Sequence, residues 1–498
     1  MMSSRCLAIA VLVAASHPAS AQDAQPFHPD VPKLWNGVAY SEQELPVVVP
    51  KYSPKPPPVD YYYKIPVRTI YKSYPIYAPG RAPGSYFEKL KTLEPEVVFD
   101  AAKLKTKEDW IRAGEVVFEA PTFYGDETAL PTADPGWYSH TGVRLTGEGI
   151  MPYARYVIRQ KGKVEVGVLS CANCHTRVLD DGTVIQAGPG NFPLDKTNGY
   201  LARRTPFEEN RRAFVALFWI PWIAERERQF EKYSTQEMAA IYNSIPLGVL
   251  ARNRSNPFFP PAVPDLRGVR DRHYLDKSGL NQNHGIASLM RYAAMAEGIE
   301  FYLNFDGFIP SGGKKFDTLP PPQSLNRFSE AQLYALAMWL SSLDPLPNPN
   351  PPEAALSEAG KKIFASEGCI GCHVPPLYTN NKLTPAIGFR IPEEHKSRYD
   401  ILPVVVGTDP RLTMETRRGT GYYKVPSLRG VWYRSPFEHN GSVATLEDWF
   451  DPRRLRDDYV PTGFKGYRVK TRAVKGHEFG LKLSADGKAA LIAFLRTL

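Results

Sequence analysis

Two pentapeptides constrain this chain more than any other feature of its sequence. Residues 171–175 read CANCH and residues 369–373 read CIGCH, so each is a C-x-x-C-H motif. Two thiols about one helical turn apart reach the two vinyl groups of a porphyrin, and the next residue turns an imidazole nitrogen onto the iron. This spacing is typical of covalent haem c attachment. We therefore expect two haem c groups on one chain.

Other roles for these cysteines fit the sequence less well. The chain has five cysteines, and Cys6 lies apart from both motifs near the N-terminus. A disulfide framework would not place a histidine after each pair, and a single four-cysteine zinc site would need neither histidine. A thioredoxin-type redox pair would explain one motif but not both. The predicted haem-binding residues are Cys171, Cys174, Cys369 and Cys372 for attachment, with His175 and His373 as iron ligands.

The first 21 residues have the pattern of an export signal. Arg5 gives a positive start, residues 6–15 form an apolar core, and residues 19–21 (ASA) suit a cleavage site. The ten-residue core is too short to cross a bilayer as a helix. A second apolar run, 213–224, contains a proline and is closely flanked by charged residues, so we expect a buried helix there and no membrane span. The sequence predicts a periplasmic or secreted protein.

Composition and charge narrow the class further. With 498 residues, 43% hydrophobic residues and 23% charged residues, the chain can form two or three domains. A disordered chain and a polytopic membrane protein are both excluded by these values. The net charge of +9 is spread without blocks of like charge, so we expect no binding of nucleic acid.

The chain repeats itself in four pairs of segments that occur in the same order. The pairs are 113–118 (AGEVVF) with 359–364 (AGKKIF), 263–269 (VPDLRGV) with 425–431 (VPSLRGV), 285–289 (GIASL) with 442–446 (SVATL), and 329–343 with 484–498, which have helical apolar spacing. This order indicates an internal duplication. In each copy a haem motif lies between the first and second segments.

These repeats predict the fold class. A helix with A-G-x-x-x-F, a haem-binding turn and a closing amphipathic helix make up the plan of a cytochrome c domain. We predict a mainly α protein with two tandem domains of this type, 86–343 and 354–498, of which the first is enlarged by insertions with a little β structure. Residues 164–170 (VEVGVLS) suggest a β-hairpin. The proline-rich residues 344–353 form a stiff linker. Residues 22–85, rich in proline and tyrosine, form an extended segment on the folded body or, alternatively, a solvated tail.

The second copy carries a resemblance to a known family. Residues 423–446 (YKVPSLRGVWYRSPFEHNGSVATL) resemble the signature of the bacterial di-haem cytochrome c peroxidase and MauG superfamily, in which P-S-L-R-N/G leads to a P-[YF]-x-H-x-G loop. With the haem motifs, the resemblance covers roughly residues 100–498. Residues 169–177 (LSCANCHTR) and 476–480 (GHEFG) look most like the di-haem rubber-oxygenase branch, whose members are longer. The resemblance implies an open haem that meets peroxide or dioxygen and a six-coordinate haem that transfers electrons.

The resemblance does not supply a sixth ligand for the C-terminal haem directly. The family places a Met or Tyr fourteen residues after the loop histidine, and that position after His439 is Arg453, which cannot ligate iron. His477 is our first choice, because the rubber-oxygenase branch is similar in using a late histidine, and His439 is the second. The alternative for His477 is a surface residue that contacts only water or a haem propionate.

For the N-terminal haem, the distal histidine of the peroxidases would fall near Asn191, and residues 188–195 (GPGNFPLD) contain no histidine. The simplest expectation is a five-coordinate iron held by His175 alone. Met295 is an alternative sixth ligand. Three further histidines are weaker alternatives, each better explained as a hydrogen-bonded loop residue: His140, His273 and His284.

Peroxide cleavage also needs a general acid–base group near the distal oxygen. Glu297, in the segment 290–298 (MRYAAMAEG), is our candidate, and its alternative is a solvent-facing helical glutamate. The expected function is an exported di-haem c-type oxidoreductase, peroxidase-like or oxygenase-like, that works with a redox partner protein or a small electron donor. Alternatives are a non-catalytic di-haem electron carrier and a dioxygenase that cleaves a hydrophobic polyene along the aromatic segment 214–223. The resemblance also allows a calcium ion.

Overall fold

The computed structural model describes most of the chain. The described residues are 26–36, 43–48, 59–127, 130–202, 233–251, 258–303, 326–416 and 419–498, without the side chains of Tyr61 and residues 297–303. The predicted leader, 1–21, and the apolar run 213–224 lie outside the described residues.

Helices outweigh strands, as the sequence predicts. The α-helices are α1 Val59–Lys64, α2 Tyr86–Thr92, α3 Lys107–Glu119, α4 Pro135–Thr141, α5 Cys171–His175, α6 Leu194–Ala202, α7 Thr235–Asn243, α8 Ile286–Leu303, α9 Glu330–Ser342, α10 Ala354–Ser366, α11 Glu393–Arg398, α12 Arg411–Met414, α13 Leu446–Trp449 and α14 Ala485–Leu495. The β-strands are β1 Ser73–Tyr77, β2 Phe123–Gly125, β3 Ile150–Gln160, β4 Lys163–Val168, β5 Thr176–Val178, β6 Val184–Gln186, β7 Leu383–Pro385 and β8 Tyr422–Lys424.

Two helix crossings repeat one another. Helix α3 crosses α9, and a Cβ atom on Gly114 would overlap the carbonyl oxygen of Ala335. Helix α10 crosses α14, and a Cβ atom on Gly360 would overlap the carbonyl oxygen of Ala490 in the same way. Only glycine allows two helix backbones to approach this closely. The A-G-x-x-x-F segments are therefore the contact points of both crossings.

A second repeated feature ties a turn to the end of each closing helix. The N–H of Gly268 donates to the carbonyl oxygen of Leu343 at 2.8 Å, and the N–H of Gly430 donates to that of Leu498 at 2.5 Å. Both glycines have positive φ, +70° and +74°, which favours glycine at these turns. A short 3₁₀ turn follows each of them. The two V-P-x-L-R-G-V segments thus have the same local structure.

The β structure belongs mainly to the first half. Strands β3 and β4 form the predicted hairpin, although it begins earlier than residues 164–170 suggest. They are the centre of an antiparallel sheet with the order β1-β3-β4-β2. This sheet packs Met151, Tyr153 and Val166 against Trp137 of helix α4.

The proline- and tyrosine-rich segment is less extended than the sequence suggests. Helix α1 forms between Pro58 and Pro66, where no proline interrupts it, and β1 joins the sheet. Tyr62 of this helix is fully buried and stacks on Trp35, with ring centres 4.6 Å apart. Burial of these aromatic side chains stabilises the contact between the segment and the core.

The remaining connections position the second half. Residues 344–353 form neither helix nor strand, and the indole N–H of Trp432 donates to the carbonyl oxygen of Leu346 at 2.9 Å. Phe364, Leu446 and Leu491 are buried together in the core of this half.

Among the described residues, no helix has both the length and the apolar character that a membrane crossing requires.

Candidate haem sites

The second motif forms a tight turn that opens into a cavity. Gly368, at φ +77°, precedes the 3₁₀ turn Cys369–Gly371, and the N–H of His373 donates to the carbonyl oxygen of Cys369 at 2.9 Å. The turn therefore presents both thiols and the imidazole of one motif to one space. The four cysteines of the two motifs form no disulfide in this structure.

A cavity of about 340 Å³ lies against this turn. Cys369, Cys372 and His373 line it together with His477. Its apolar walls include Phe364, Leu446, Leu491 and Leu495, and residues 262–265 of the first half complete it. An apolar pocket with a thiol pair and two imidazoles has the chemical character that a covalently attached haem needs.

The two imidazoles lie close to each other in the wall of this cavity. The ring centres of His373 and His477 are 6.2 Å apart, with an angle of 56° between the ring planes. A metal–imidazole bond of about 2 Å on each side, with about 1 Å from each nitrogen to its ring centre, separates two ring centres by roughly 6 Å. The spacing therefore fits one iron between two histidines.

Both imidazoles are held in the neutral form that a metal ligand requires. Burial lowers the pKa of His373 to about 4, with a further contribution from His477. Its Nδ1 atom lies 3.1 Å from the carbonyl oxygen of Tyr378, which leaves Nε2 for the cavity. Burial also lowers the pKa of His477, against an opposing effect from Glu438.

His477 is a cavity residue and not a surface residue. Its ring packs between Trp449 and Phe479, at 5.3 Å and 5.4 Å between ring centres. Its Nδ1 atom is buried and has no hydrogen-bond partner in the part of the chain that the structure describes. Arg453, in contrast, is an exposed side chain paired with Asp451 and contributes nothing to the cavity.

His439 lines the same cavity but has other partners. Its Nδ1 atom lies 3.2 Å from both Glu438 Oε2 and Thr408 Oγ1, and its ring centre is 4.7 Å from that of Tyr423. Burial alone would raise the pKa of Glu438, but hydrogen bonds from His439 and Thr408 hold that pKa below its usual value. His439 is thus engaged with Glu438, Thr408 and Tyr423, whereas the ring of His477 contacts that of His373.

One end of the cavity is rich in buried cations. Lys277, Lys424, Arg272 and Arg434 all line it, and Asp265 is the carboxylate that pairs with Arg434. Burial lowers the pKa of Lys277 to about 8 and that of Arg272 to about 10. Buried charges are stable when they are paired, and a haem brings two propionate groups. This cation surplus therefore fits the carboxylates of the cofactor.

The first motif forms helix α5 and has one clear anchor. The hydroxyl of Ser170 accepts a hydrogen bond from the N–H of Asn173 and caps the helix. His175 Nδ1 lies 3.1 Å from the carbonyl oxygen of Pro264, so Nε2 is the nitrogen that would bind iron. Pro264 is the counterpart of Pro426, whose backbone also interacts with His373. The two V-P segments thus orient the two motif histidines alike.

The loop after the first motif offers no second imidazole. Asn191 is buried, and its Oδ1 atom accepts hydrogen bonds from the hydroxyl of Tyr153 at 2.7 Å and from the N–H of Val178 at 3.0 Å. Its amide nitrogen donates to the carbonyl oxygen of Val178 at 2.8 Å. Asn191 is fully used in holding the loop.

The other candidates near the first motif have separate environments. Met295 is buried in the hydrophobic cluster that also contains Ala172 and, at its edge, Cys171. Glu297 lies on helix α8, but its side chain is outside the described part of the chain. The three weaker histidine candidates have these settings: His140 Nε2 lies 2.9 Å from Asn243 Oδ1, His273 Nδ1 lies 2.8 Å from the exposed Asp400, and His284 is exposed. Calcium remains a prediction of the resemblance alone.

Three residues in these regions carry no signal in the sequence pattern. Lys277 faces the haem cavity, Arg454 is fully buried behind His477, and Asp195 is buried with its Oδ1 atom unpaired within the described residues. A charged residue is ordinarily exposed, so only the three-dimensional structure identifies these positions.

A polar bridge connects the two halves beside the motif histidines. Asp265 follows Pro264 in the chain, and its Oδ2 atom accepts hydrogen bonds from Arg434 Nε at 2.7 Å and from the Tyr433 hydroxyl at 2.9 Å. Arg177, two residues after His175, donates to the carbonyl oxygen of Ser435 at 2.7 Å. The backbone that orients His175 is therefore fixed to the wall of the second cavity.

These features define a class of protein, one with two c-type haem sites that are built from duplicated elements. Residues 421–460 match the family model of RoxA-like, cytochrome c-like proteins. This match agrees with the resemblance carried by residues 423–446 and supports covalently bound haem c.

Further likenesses are more distant. An uncharacterized protein, y4iJ, of Sinorhizobium fredii is 32% identical over 147 residues, which are 23% of this chain and 25% of that protein, so the chain matches about a quarter of its relative's length. Kuenenia stuttgartiensis hydrazine synthase has 15% identity and a TM-score of 0.31, covering 61% of this chain and 92% of that chain. The diheme peroxidase BthA of Burkholderia thailandensis has 17% identity and a TM-score of 0.22, covering 65% and 92%. At these values the structural likenesses carry no information about how this chain acts.

Proposed function

We propose that the chain is an exported di-haem oxidoreductase in which the two sites have different tasks. The N-terminal site takes peroxide or dioxygen, and the C-terminal site passes electrons between an external donor and the N-terminal site. Haem iron supplies one-electron redox chemistry and, where a coordination position is open, a place for a small oxidant. Reduction of a peroxide to two waters takes two electrons and two protons, which explains why a second redox site is useful.

The observation that carries this proposal is the histidine pair of the second site. The ring centres of His373 and His477 lie 6.2 Å apart in an apolar cavity. Two imidazole ligands close both axial positions of an iron, and a closed iron suits electron transfer because no substrate binds there. The proposed ligands of the C-terminal haem are therefore His373 and His477, with attachment through Cys369 and Cys372.

The first site is built differently in the part that the structure describes. His175 is fixed by Pro264, and Asn191 holds its loop with every polar atom of its side chain engaged. The sequence from 304 to 329, which precedes the closing helix of this half, contains no histidine, cysteine or methionine. The engaged side chain of Asn191 and this sequence support the proposal of an open coordination position for a small oxidant at the iron that His175 would hold.

The polar bridge supports communication between the sites. It joins the Pro264–Asp265 backbone, which orients His175, to Arg434 on the wall of the second cavity. A short, rigid connection keeps the distance between two redox sites constant, and electron transfer depends on that distance. In this proposal Asp265 holds the two halves in one working geometry.

One observation favours the alternative of a non-catalytic electron carrier. Met295 is buried in the same hydrophobic cluster as Cys171 and Ala172, so a thioether is close to the first motif. A methionine ligand there would make both sites six-coordinate. In that case the protein would carry electrons without binding an oxidant.

Optical and EPR spectra of the purified holoprotein separate these functions. We expect one high-spin and one low-spin ferric haem, with peroxide changing only the high-spin signal. In the reduced protein, we expect carbon monoxide to change the optical spectrum of the same haem only. Two low-spin haems that neither carbon monoxide nor peroxide changes would contradict the enzyme and leave the carrier. A Met295→Leu variant with an unchanged spectrum would exclude methionine ligation.

A further inference from the structure

Arg454 is an arginine in an unusual position. Its side chain has no exposed surface, although the residue before it, Arg453, is among the exposed ones. Burial lowers the pKa of Arg454, but an arginine keeps its proton at all physiological pH values. A fully buried guanidinium is stable only when its donors are used.

Those donors all point to backbone carbonyl groups near His477. Arg454 Nη1 donates to the carbonyl oxygens of Val474 at 2.7 Å and Gly476 at 2.9 Å, and Nη2 donates to that of His477 at 2.7 Å. Nε donates to the carbonyl oxygen of Trp449 at 2.9 Å. One side chain thus holds three carbonyl groups within the four residues that end at His477.

The backbone it holds is strained. His477 has φ +52°, a value that L-residues other than glycine rarely adopt. Gly476 precedes it at φ +90°, and a Cβ atom there would lie 2.6 Å from the N atom of Thr408. Such a conformation persists only when its surroundings determine it. Besides these contacts with Arg454, the N–H of His477 donates to the carbonyl oxygen of Val406 at 2.9 Å.

The side chains of Arg454, Trp449 and His477 also pack against one another. The guanidinium carbon of Arg454 lies 5.4 Å from the ring centre of Trp449, and that ring is 5.3 Å from the ring of His477. The imidazole therefore rests on an indole that the arginine itself supports. Both the backbone and the ring direction of His477 depend on Arg454.

We propose that Arg454 is the positioning residue that keeps His477 in place as the second ligand of the C-terminal haem iron, an inference that rests on the proposed role of His477. Arg454 does not contact iron. It acts by making the strained His477 conformation the stable one, so that the imidazole returns quickly whenever it leaves the metal. The expected consequence is a closed site that excludes external ligands.

The test measures how fast carbon monoxide enters the C-terminal site of the reduced holoprotein. Carbon monoxide binds there only after His477 has left, so this slow phase reports on the His477–iron bond, while a fast phase from the N-terminal site serves as an internal reference. We expect Arg454→Gln to accelerate the slow phase by about tenfold to a hundredfold, because each lost charged hydrogen bond changes an equilibrium by roughly tenfold or more. Arg454→Lys, which keeps the charge but has fewer donors, should give an intermediate rate.

Arg453→Gln is the matched control, since it removes the neighbouring exposed arginine and should leave the rate unchanged. If Arg454→Gln yields no folded holoprotein, the rate of the slow phase in Arg454→Lys alone tests the inference. A slow phase in Arg454→Lys equal to that of Arg453→Gln would overturn the inference. EPR of the ferric variants provides a second readout, with a shifted or mixed-spin signal expected for the Arg454 variants only.

A His477→Gly variant separates this inference from the function on which it rests. If His477→Gly opens the C-terminal site to carbon monoxide while the Arg454 variants behave like the natural protein, only the role of Arg454 fails. If His477→Gly leaves the site closed, His477 is not the ligand and the proposed function fails with it.

Discussion

The two halves of this chain position the motif histidine in the same way, but they differ in the residues beyond the duplicated elements. Each half crosses two helices at a glycine and orients its motif histidine with the V-P segment. Beyond that shared frame, the second half brings His477 to face His373, whereas the first half uses Asn191 as a loop anchor. The duplicated elements therefore determine how a haem is attached, and the unshared loops determine whether its iron is closed.

The largest expected effects come from removing one motif at a time. Cys171→Ala with Cys174→Ala should leave one covalent haem, and Cys369→Ala with Cys372→Ala should leave the other, because thioether bonds to the vinyl groups need these thiols. Intact-protein mass spectrometry and haem staining of denatured protein measure the loss. Two covalent haems in either double variant would contradict the assignment of that motif.

Removing the facing histidine tests the asymmetry directly. His477→Ala should convert the low-spin signal of the C-terminal haem to high-spin almost completely, so that both halves resemble each other, and added imidazole should restore the low-spin signal. His439→Ala is the matched control, because His439 lines the same cavity with Glu438 and Thr408 as partners. Loss of the low-spin signal in His439→Ala, with a normal signal in His477→Ala, would reverse the ligand assignment.

The helix crossing can be weakened in the same way in both halves. Gly114→Ala and Gly360→Ala each place a Cβ atom against a backbone carbonyl that cannot move aside, Ala335 in one half and Ala490 in the other. We expect each substitution to lower the free energy of unfolding by about 3 kcal/mol. Chemical denaturation measures this, with Gly84→Ala as a control because no atom lies near its added Cβ. A neutral Gly360→Ala beside a damaging Gly114→Ala would show that the two crossings are not equivalent.

The sequence predicts the shared frame better than the asymmetry because the frame is local. The haem motifs, the A-G-x-x-x-F contacts and the V-P turns are short segments whose geometry follows from their own residues. His477 is a hundred residues from His373 in sequence, and only the resemblance to a known branch singles it out. Arg454 carries no signal at all, since its neighbour Arg453 has the same residue type but is exposed. The helix inside the tyrosine-rich segment was also hidden, because proline content obscures a short run without proline.

The bridge between the halves should have a moderate effect on stability. Asp265→Asn keeps the shape but removes the charge that pairs with Arg434 and accepts from Tyr433. We expect a loss of about 2 kcal/mol in the free energy of unfolding, because the side chains of Asp265 and Arg434 are largely buried. Asp344→Asn is the control, since its pair with Arg270 is exposed and should matter by less than about 1 kcal/mol. Equal losses of unfolding free energy in both variants would show that the polar bridge does not hold the two halves together.

A last feature outside the duplicated elements is a buried carboxyl group of the first half. Asp195 is buried on helix α6, and its Oδ2 atom accepts from the N–H of Ala251 at 3.0 Å. Burial raises the pKa of Asp195 to about 8. Between the pKa of an unfolded aspartate, about 4, and the folded value of about 8, the folded state binds a proton that the unfolded state does not. This carboxyl group therefore lowers stability as the pH rises through that window.

Asp195→Asn should remove this dependence, because an amide of the same shape has no proton to lose. The difference in unfolding free energy between the variant and the natural protein should be near zero below pH 4 and grow by at most about 1.4 kcal/mol per pH unit up to about pH 8. Denaturation curves at several pH values measure it, and Asp457→Asn, an exposed aspartate of the second half, should show no such trend. A difference that is constant across the window would mean that Asp195 is ionised in the folded protein, and that the first half holds a counter-charge close to it.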